Sequence, residues 1–363
     1  MTLACATALA GCVTVPEPQE QTVLSAQKPA WSFKPENDKM VVAVSPARQT
    51  LQMAGTTGVI VGAGISAISN ARHRSAIQEV LEGYDSVRVF EEHLATRLKE
   101  AIGTDLERVM PLGSTAGYSM VQDARDARYE RLADQGYDLL LDTRCTYGLF
   151  GYEGTLIAKL EGDLYEPSTG HALWRDTVVC SSEDLLASDK LTDPTDQLTP
   201  NYTSPRFTVE DDAVAQWTGD GGEVLRSRYE AAVEGAVSAM LMSLGLVEEP
   251  KGAYYLAKGY MNRKEFEIAE DFYQKAIALD PEYVDARNGL AVNMAHMDNY
   301  TGAIAATQAI LEGDPNYGPG LYNLAWWYAV ELEQPEEARP YYQQAQALGM
   351  PPHKKIDKAL AQD

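Results

Sequence analysis

The sequence predicts an α+β chain, in which a sandwich-like α/β domain with an antiparallel meander precedes an all-α repeat array. Three observations carry this. Strand-period and helix-period segments alternate between Met40 and Gly245. Three consecutive strand-like runs between residues 137 and 180 are joined by Gly-containing turns. From Pro250 onward the chain resembles itself at a period of 34: Leu256-Ala257 recurs as Leu290-Ala291 and Leu324-Ala325.

Composition narrows the function classes. Of 363 residues, 53 are acidic and 30 basic, a formal net charge of −23. Sequence-independent nucleic-acid binding needs clustered Lys and Arg to displace phosphate counterions, so no nucleic-acid partner is expected. No uncharged apolar run approaches the roughly 20 residues of a spanning helix.

The elements follow in order. Residues 1–12 are apolar and small, and residues 13–38, rich in Pro and Gln, read as an extended tether. The α/β domain is expected over 39–246. Residues 40–45 give a first strand, and 75–81 continue a helix begun upstream. Phe90, Leu94, Leu98 and Ile102 form the stripe of a helix over 90–102. A short strand at 107–112 and a helix at 124–135, closed by Gly136, come next. Strands at 137–150, 155–165 and 172–180 form the meander. A polar stretch, 181–220, leads to an apolar helix at 223–246.

Counting through the turns places Cys145 opposite Leu160, and Leu160 opposite Asp176. The two cysteines then lie on the outer strands of three, about 9–10 Å apart. A disulfide needs Cα atoms within about 7 Å, so both are expected to be free thiols.

The N-terminus carries a resemblance. Leu9-Ala10-Gly11-Cys12 resembles the lipobox of bacterial lipoproteins, in which the Cys12 thiol takes a diacylglyceryl group. Val13, not Asp, follows it, which by resemblance directs the protein to the periplasmic face of the outer membrane. A secretory signal opens on basic residues and none precedes Cys12, so a start upstream of Met1 is expected.

The period-34 segment resembles the tetratricopeptide repeat (TPR) family. Ala269 recurs as Ala303 and Pro281 as Pro315, giving three repeats over 250–350 and a capping helix or tail at 351–363. In the third copy Ala338 and Ala345 come one residue late, and the extra residue is expected in the turn near Glu333-Gln334-Pro335. By resemblance, the groove that binds a protein partner is lined by Tyr254, Lys258, Met261, Asn288, Val292, Tyr322, Asn323 and Trp326. The middle domain resembles, in element order and in the YEPSTGHALW hairpin, the N-terminal domain of TolB, the curli-secretion lipoprotein CsgG and the lipoprotein activators of peptidoglycan synthases.

The search for chemistry is brief. His73, His93, His171, His296 and His353 share no metal-ligand spacing, and no HExxH, CxxC or G-x-S-x-G motif occurs. One phrase competes with a non-catalytic reading: Gly62-Ala63-Gly64-Ile65-Ser66-Ala67 fits G-x-G-x-x-A, with Glu91 as a ribose-binding acid. However, Glu91 lies 29 residues on, beyond the roughly 20 of a dinucleotide site, and falls on the striped helix. Gly55, Gly58, Gly62 and Ser66 instead repeat as small residues on one helix face, suited to close packing or self-association.

The leading expectation is a non-enzymatic scaffold that takes no cofactor. It is tethered to the outer membrane through Cys12, binds proteins of the cell envelope and forms a homo-oligomer. Secretion, surface-polymer export and cell-wall synthesis are the settings. The alternatives are an FAD- or NAD-dependent enzyme and an activator of a peptidoglycan synthase.

Overall fold

The computed structural model describes residues 16–42, 72–112, 118–150, 154–181, 185–188 and 211–361. Its first elements overturn the tether expected over 13–38. Helix α1 (Glu20–Ser25) is followed by strand β1 (Pro29–Pro35). This strand runs parallel to β4 (Leu139–Phe150), with Pro29 opposite Leu139 and Pro35 opposite Cys145. Its other edge meets the two-residue strand β3 (Glu107–Arg108). The physical reason lies in PAWSFKP itself. Trp31 and Phe33 alternate with Ala30 and Ser32, and all four are buried. Pro29 is tolerated as the first residue of a strand, where its missing N–H costs least. The chain is already fixed at Gln19, whose N–H donates to the Leu244 carbonyl (2.8 Å).

The strand expected at 40–45 is represented, among the described residues, by β2 (Val41–Val42), parallel to the far end of β4. Helix α2 (72–80) follows. Helix α3 (Ser86–Ile102) buries Phe90, Leu94 and Leu98, the predicted stripe. Asp85 caps it by accepting from the Arg88 N–H, and Gly103 ends it at φ +80°. Glu91 therefore sits inside a helix, not at a strand end. Helix α4 (Tyr118–Asp134) precedes Gly136, whose φ of +83° confirms the predicted cap.

Strands β4, β5 (Thr155–Glu166) and β6 (His171–Ser181) form the predicted meander, and the sheet order is β3-β1-β4-β5-β6. Cys145 faces Leu160 as counted. Leu160 faces Val178 and not Asp176: the hairpin closes with Glu166 opposite His171, which alone would bring Thr177 to Leu160, and a bulge between Leu164 and Tyr165 adds one residue more. Cys145 and Cys180 remain free and buried on either side of β5, and burial pushes both thiols well above their ordinary pKa.

After the short helix α5 (Asp211–Thr218) comes α6 (Glu223–Ser243), buried on nearly every side of its second half. A helix apolar all round belongs in an interior. Toward the sheet, the Tyr229 hydroxyl donates to the Ser86 carbonyl (2.7 Å), and Gly162 leaves room for Met240 and Trp174. Toward the repeats, a Cβ on Gly235 would run into the Tyr255 ring. One apolar core accordingly extends from Trp31 to Ile356. The two predicted domains share it.

The array consists of helix pairs: α7 (Pro250–Asn262) and α8 (Phe266–Leu279), α9 (Val284–His296) and α10 (Tyr300–Gly313), and α11 (Gly318–Trp326) and α12 (Pro335–Ala347). Each pair turns through a left-handed non-glycine residue: Lys264, Asp298 and Glu333. The spacing grows from 34 to 35 in the last pair, which locates the extra residue before Glu333. It lies earlier than expected. Residues Trp327–Glu331 form a π-turn, with the Leu332 N–H donating to the Trp327 carbonyl (2.8 Å). A π-bulge absorbs one residue while keeping the main chain hydrogen-bonded. Helix α13 (Lys354–Leu360) caps the stack and buries Ile356.

The sheet domain and the repeats are also joined by polar contacts. Glu249 accepts from Ser238 Oγ (2.5 Å) and pairs with Arg97 of α3. Burial raises the Glu249 pKa, but the Ser238 and Arg97 hydrogen bonds outweigh it and hold the carboxyl below its ordinary value. A depressed carboxyl contributes stability above its unfolded pKa of about 4.3 and loses it as pH falls through the folded value. Glu249→Gln should therefore flatten the acid limb of a urea-midpoint profile between about pH 5 and pH 3; an unchanged slope would remove this pair from the account.

Candidate functional site

The inner helices of the repeats, α7, α9 and α11, present the face on which the eight partner-binding residues were expected. All eight are buried. The face is not an open groove, because residues 185–188 of the same chain lie in it. Three residues separate this short stretch from Ser181, the end of β6.

Two carboxamides read its main chain. Asn288 Nδ2 donates to the Leu185 carbonyl (2.9 Å), and Asn323 Oδ1 accepts from the Ala187 N–H (2.7 Å). Asn323 Nδ2 in turn donates to Asn288 Oδ1 (2.9 Å), which fixes the orientation of both amides. Asn288 is 1% exposed and Asn323 0%. Buried amides of this kind are costly unless satisfied, and here the segment satisfies them. The Leu185 side chain enters the apolar core. Ser188 Oγ and the Tyr322 hydroxyl lie 3.3 Å apart, and Lys258 Nζ donates to Ser181 Oγ (2.9 Å).

The other expected groove residues do different work. Tyr254 stands among Tyr255, Tyr273 and Tyr283, with ring centroids 5.0, 6.2 and 5.5 Å away. Burial raises its phenol pKa far above the ordinary value. Met261 turns toward its own helix pair, where its sulfur accepts from the Tyr273 hydroxyl (3.8 Å). Val292 is core. Trp326 meets the cap: His353 packs edge-on against it (4.9 Å), Lys355 Nζ lies over its ring (5.2 Å), and its Nε1 donates to Glu331 (2.9 Å). Their assignment as open partner contacts is thus corrected. Four of the eight (Lys258, Asn288, Tyr322 and Asn323) hold the chain's own segment or the strand end leading to it. Cys12, Gly55, Gly58, Gly62 and Ser66 lie outside the described residues, as does the glycine phrase.

A second concavity, of about 590 Å³, opens on the sheet face opposite α6. Its floor is two rows of cross-strand neighbours, Ser32–Asp142–Asp163–Arg175 and Lys34–Arg144–Glu161–Thr177. Asp142 and Asp163 oppose each other directly, an unfavourable pairing in isolation. Each carboxylate is engaged by guanidinium groups. Arg128 grips Asp142 with two bonds (2.6 and 2.8 Å), and Asp163 pairs with Arg175 and Arg144. The network reads as a self-satisfied polar floor. Among the described residues, no group of three or more His, Cys, Asp or Glu side chains is placed to hold a metal ion. None of their helices is long and apolar enough to cross a membrane.

The segment in the groove escaped the sequence reading. Its one local signal is the apolar pair Leu185-Leu186 within an otherwise polar run. Asn288→Ala should strip the Leu185 carbonyl and the Asn323 amide of their shorter hydrogen bonds, leaving only the long one between them (3.4 Å), and cost about 1–3 kcal/mol. The unfolding free energy in urea is the check, and a loss below about 0.5 kcal/mol would contradict the role given to this amide.

A family model described as a tetratricopeptide repeat matches residues 250–283, the first helix pair and its exit turn. No curated protein matches the chain at a significant level.

Proposed function

We propose that this protein is a non-catalytic scaffold of the bacterial cell envelope, anchored to the outer membrane through lipidated Cys12 and facing the periplasm. Its repeats recruit a protein partner within a complex for secretion, surface-polymer export or cell-wall synthesis. The observation that carries the scaffold reading is the way the concave face of the repeats grips the main chain of a short peptide segment through buried carboxamides. Such amides bind main chain, which every protein offers, and they transform no substrate. The tetratricopeptide match over 250–283 supports the same reading. The lipobox Leu9-Ala10-Gly11-Cys12 supports the anchor. Self-association through Gly55, Gly58, Gly62 and Ser66 belongs to the same proposal.

Two experiments test it. Cys12→Ser should move the protein from the membrane to the soluble fraction on cell fractionation, and continued membrane association would refute the anchor. In the full chain, NAD and FAD should each leave the melting temperature unchanged. A dinucleotide that binds only the folded state at 100 times its Kd would add about 2.7 kcal/mol, a readily measured shift, and would move the reading to an enzyme.

A further inference from the structure

We propose that Leu185–Ser188 is an exchangeable ligand that keeps the repeat groove shut, and that the groove opens to a partner segment of the same chemistry. That segment has a leucine and, two residues later at the entry to a turn, a small residue with a free N–H, in the manner of Leu185-Leu186-Ala187-Ser188. The inference rests on the scaffold reading above and adds to it the regulation of the groove and the kind of sequence the groove accepts.

Three features carry it. First, the segment is held as a bound peptide is held. The groove reads one carbonyl (Leu185) and one N–H (Ala187), and takes one anchoring side chain, Leu185, which is 6% exposed. Leu186, Ala187 and Ser188 are only half-buried, with Leu186 and Ala187 resting against the edge of the core. A segment with one buried side chain and a few main-chain bonds belongs to the low-stability end of a structure and opens without global unfolding.

Second, the wall is polar where a permanent seal would be apolar. Asn288 and Asn323 are buried amides set against a largely apolar core. Apolar packing would seal the face at less desolvation cost. When the segment leaves, water satisfies these amides, and another segment offering the same carbonyl and N–H can take its place. Their mutual hydrogen bond keeps them preorganised meanwhile.

Third, the tether sets the threshold. Ser181 is bonded to Lys258 on the groove wall, and only three residues separate it from Leu185. So short a connection gives a local concentration on the order of 1–10 mM. Against an intrinsic Kd of about 0.1 mM for so few contacts, the groove is closed about 90–99% of the time. A competing peptide is then weakened by about 10–100-fold. A partner therefore needs either better contacts or a high local concentration, both of which an assembled complex supplies.

The test uses the full chain and changes only the segment. In the double variant Leu185→Asp with Ala187→Pro, the apolar anchor and the donated N–H are both lost while every repeat residue is kept. A fluorescein-labelled peptide of residues 181–188, Ser-Ser-Glu-Asp-Leu-Leu-Ala-Ser, is titrated by anisotropy. The expected result is binding to this variant at least about tenfold tighter than to the unaltered protein, abolished by adding Asn323→Ala. Equal affinity for both, or no binding to a variant with unchanged circular dichroism and melting, overturns the proposal.

If the double variant does not fold, hydrogen exchange on the unaltered protein decides. The Ala187 amide should exchange at least about 100-fold faster than the Ala291 amide of α9; matching rates would make the segment a permanent part of the core. Failure of peptide binding while Cys12-dependent membrane association persists removes the gate and leaves the anchor standing. Release from the gate with no effect of Cys12→Ser does the reverse.

Discussion

The helix α6 is the constraint on which the molecule depends. It is covered by the sheet on one side and by α7 on the other, so the main core of the molecule runs through it into both layers. Its composition follows from that position. Ala232, Gly235, Ala236, Ser238 and Ala239 allow close approach, while Leu225, Tyr229, Met240 and Leu241 fill the space left over. A larger residue at Gly235 would push α7 off through Tyr255, and with it the start of the repeat stack. Stability of the sheet and placement of the repeats are therefore coupled through one rod of packed side chains. Separating them would expose apolar surface on both.

The closed groove follows from the same coupling. Since α6 fixes α7 against β6, the end of β6 is delivered to the concave face, where Lys258 meets Ser181. Residues 185–188 lie on that same face. The carboxamides of α9 and α11 sit where its main chain passes. Arg263, at the far end of α7, fastens the same strand by donating to the Thr177 carbonyl (3.2 Å). A repeat array that stood alone would present its inner helices to solvent. This one begins its stack on a helix already committed to a sheet, and the inner face is committed with it.

How much of this was legible depended on the range of the interaction. Local periodicity revealed α3, the meander strands and the helix pairs, because each pattern is written within a dozen residues. Gly136 marked its cap for the same reason. Cys145 opposite Leu160 was countable through one connection, whereas Leu160 opposite Asp176 missed by two residues, one from where the hairpin closes and one from a bulge that leaves no mark in the alternation. Strand β1 was hidden by its surroundings: the Pro and Gln upstream of it suggest a tether, and the burial of Trp31 and Phe33 depends on β4, more than 100 residues away. The groove residues were placed on the right helices but given the wrong occupant. Asn288 and Asn323 look like solvent-facing or partner-facing amides until the chain that crosses them is known. Nothing local identifies Leu185-Leu186 as that chain.

One consequence of the early attachment of the chain concerns distance. Gln19 is bonded to the end of α6 at Leu244, and Pro18 packs beside Gly245. From there back to Cys12 is a span of seven residues, at most about 25 Å when fully drawn out. A lipid on Cys12 would then act as a short leash, not a long mooring. The body would ride within a few nanometres of the bilayer, with the α1 and Leu244 end turned toward the lipid. Whatever the repeats engage would have to come to that height above the membrane.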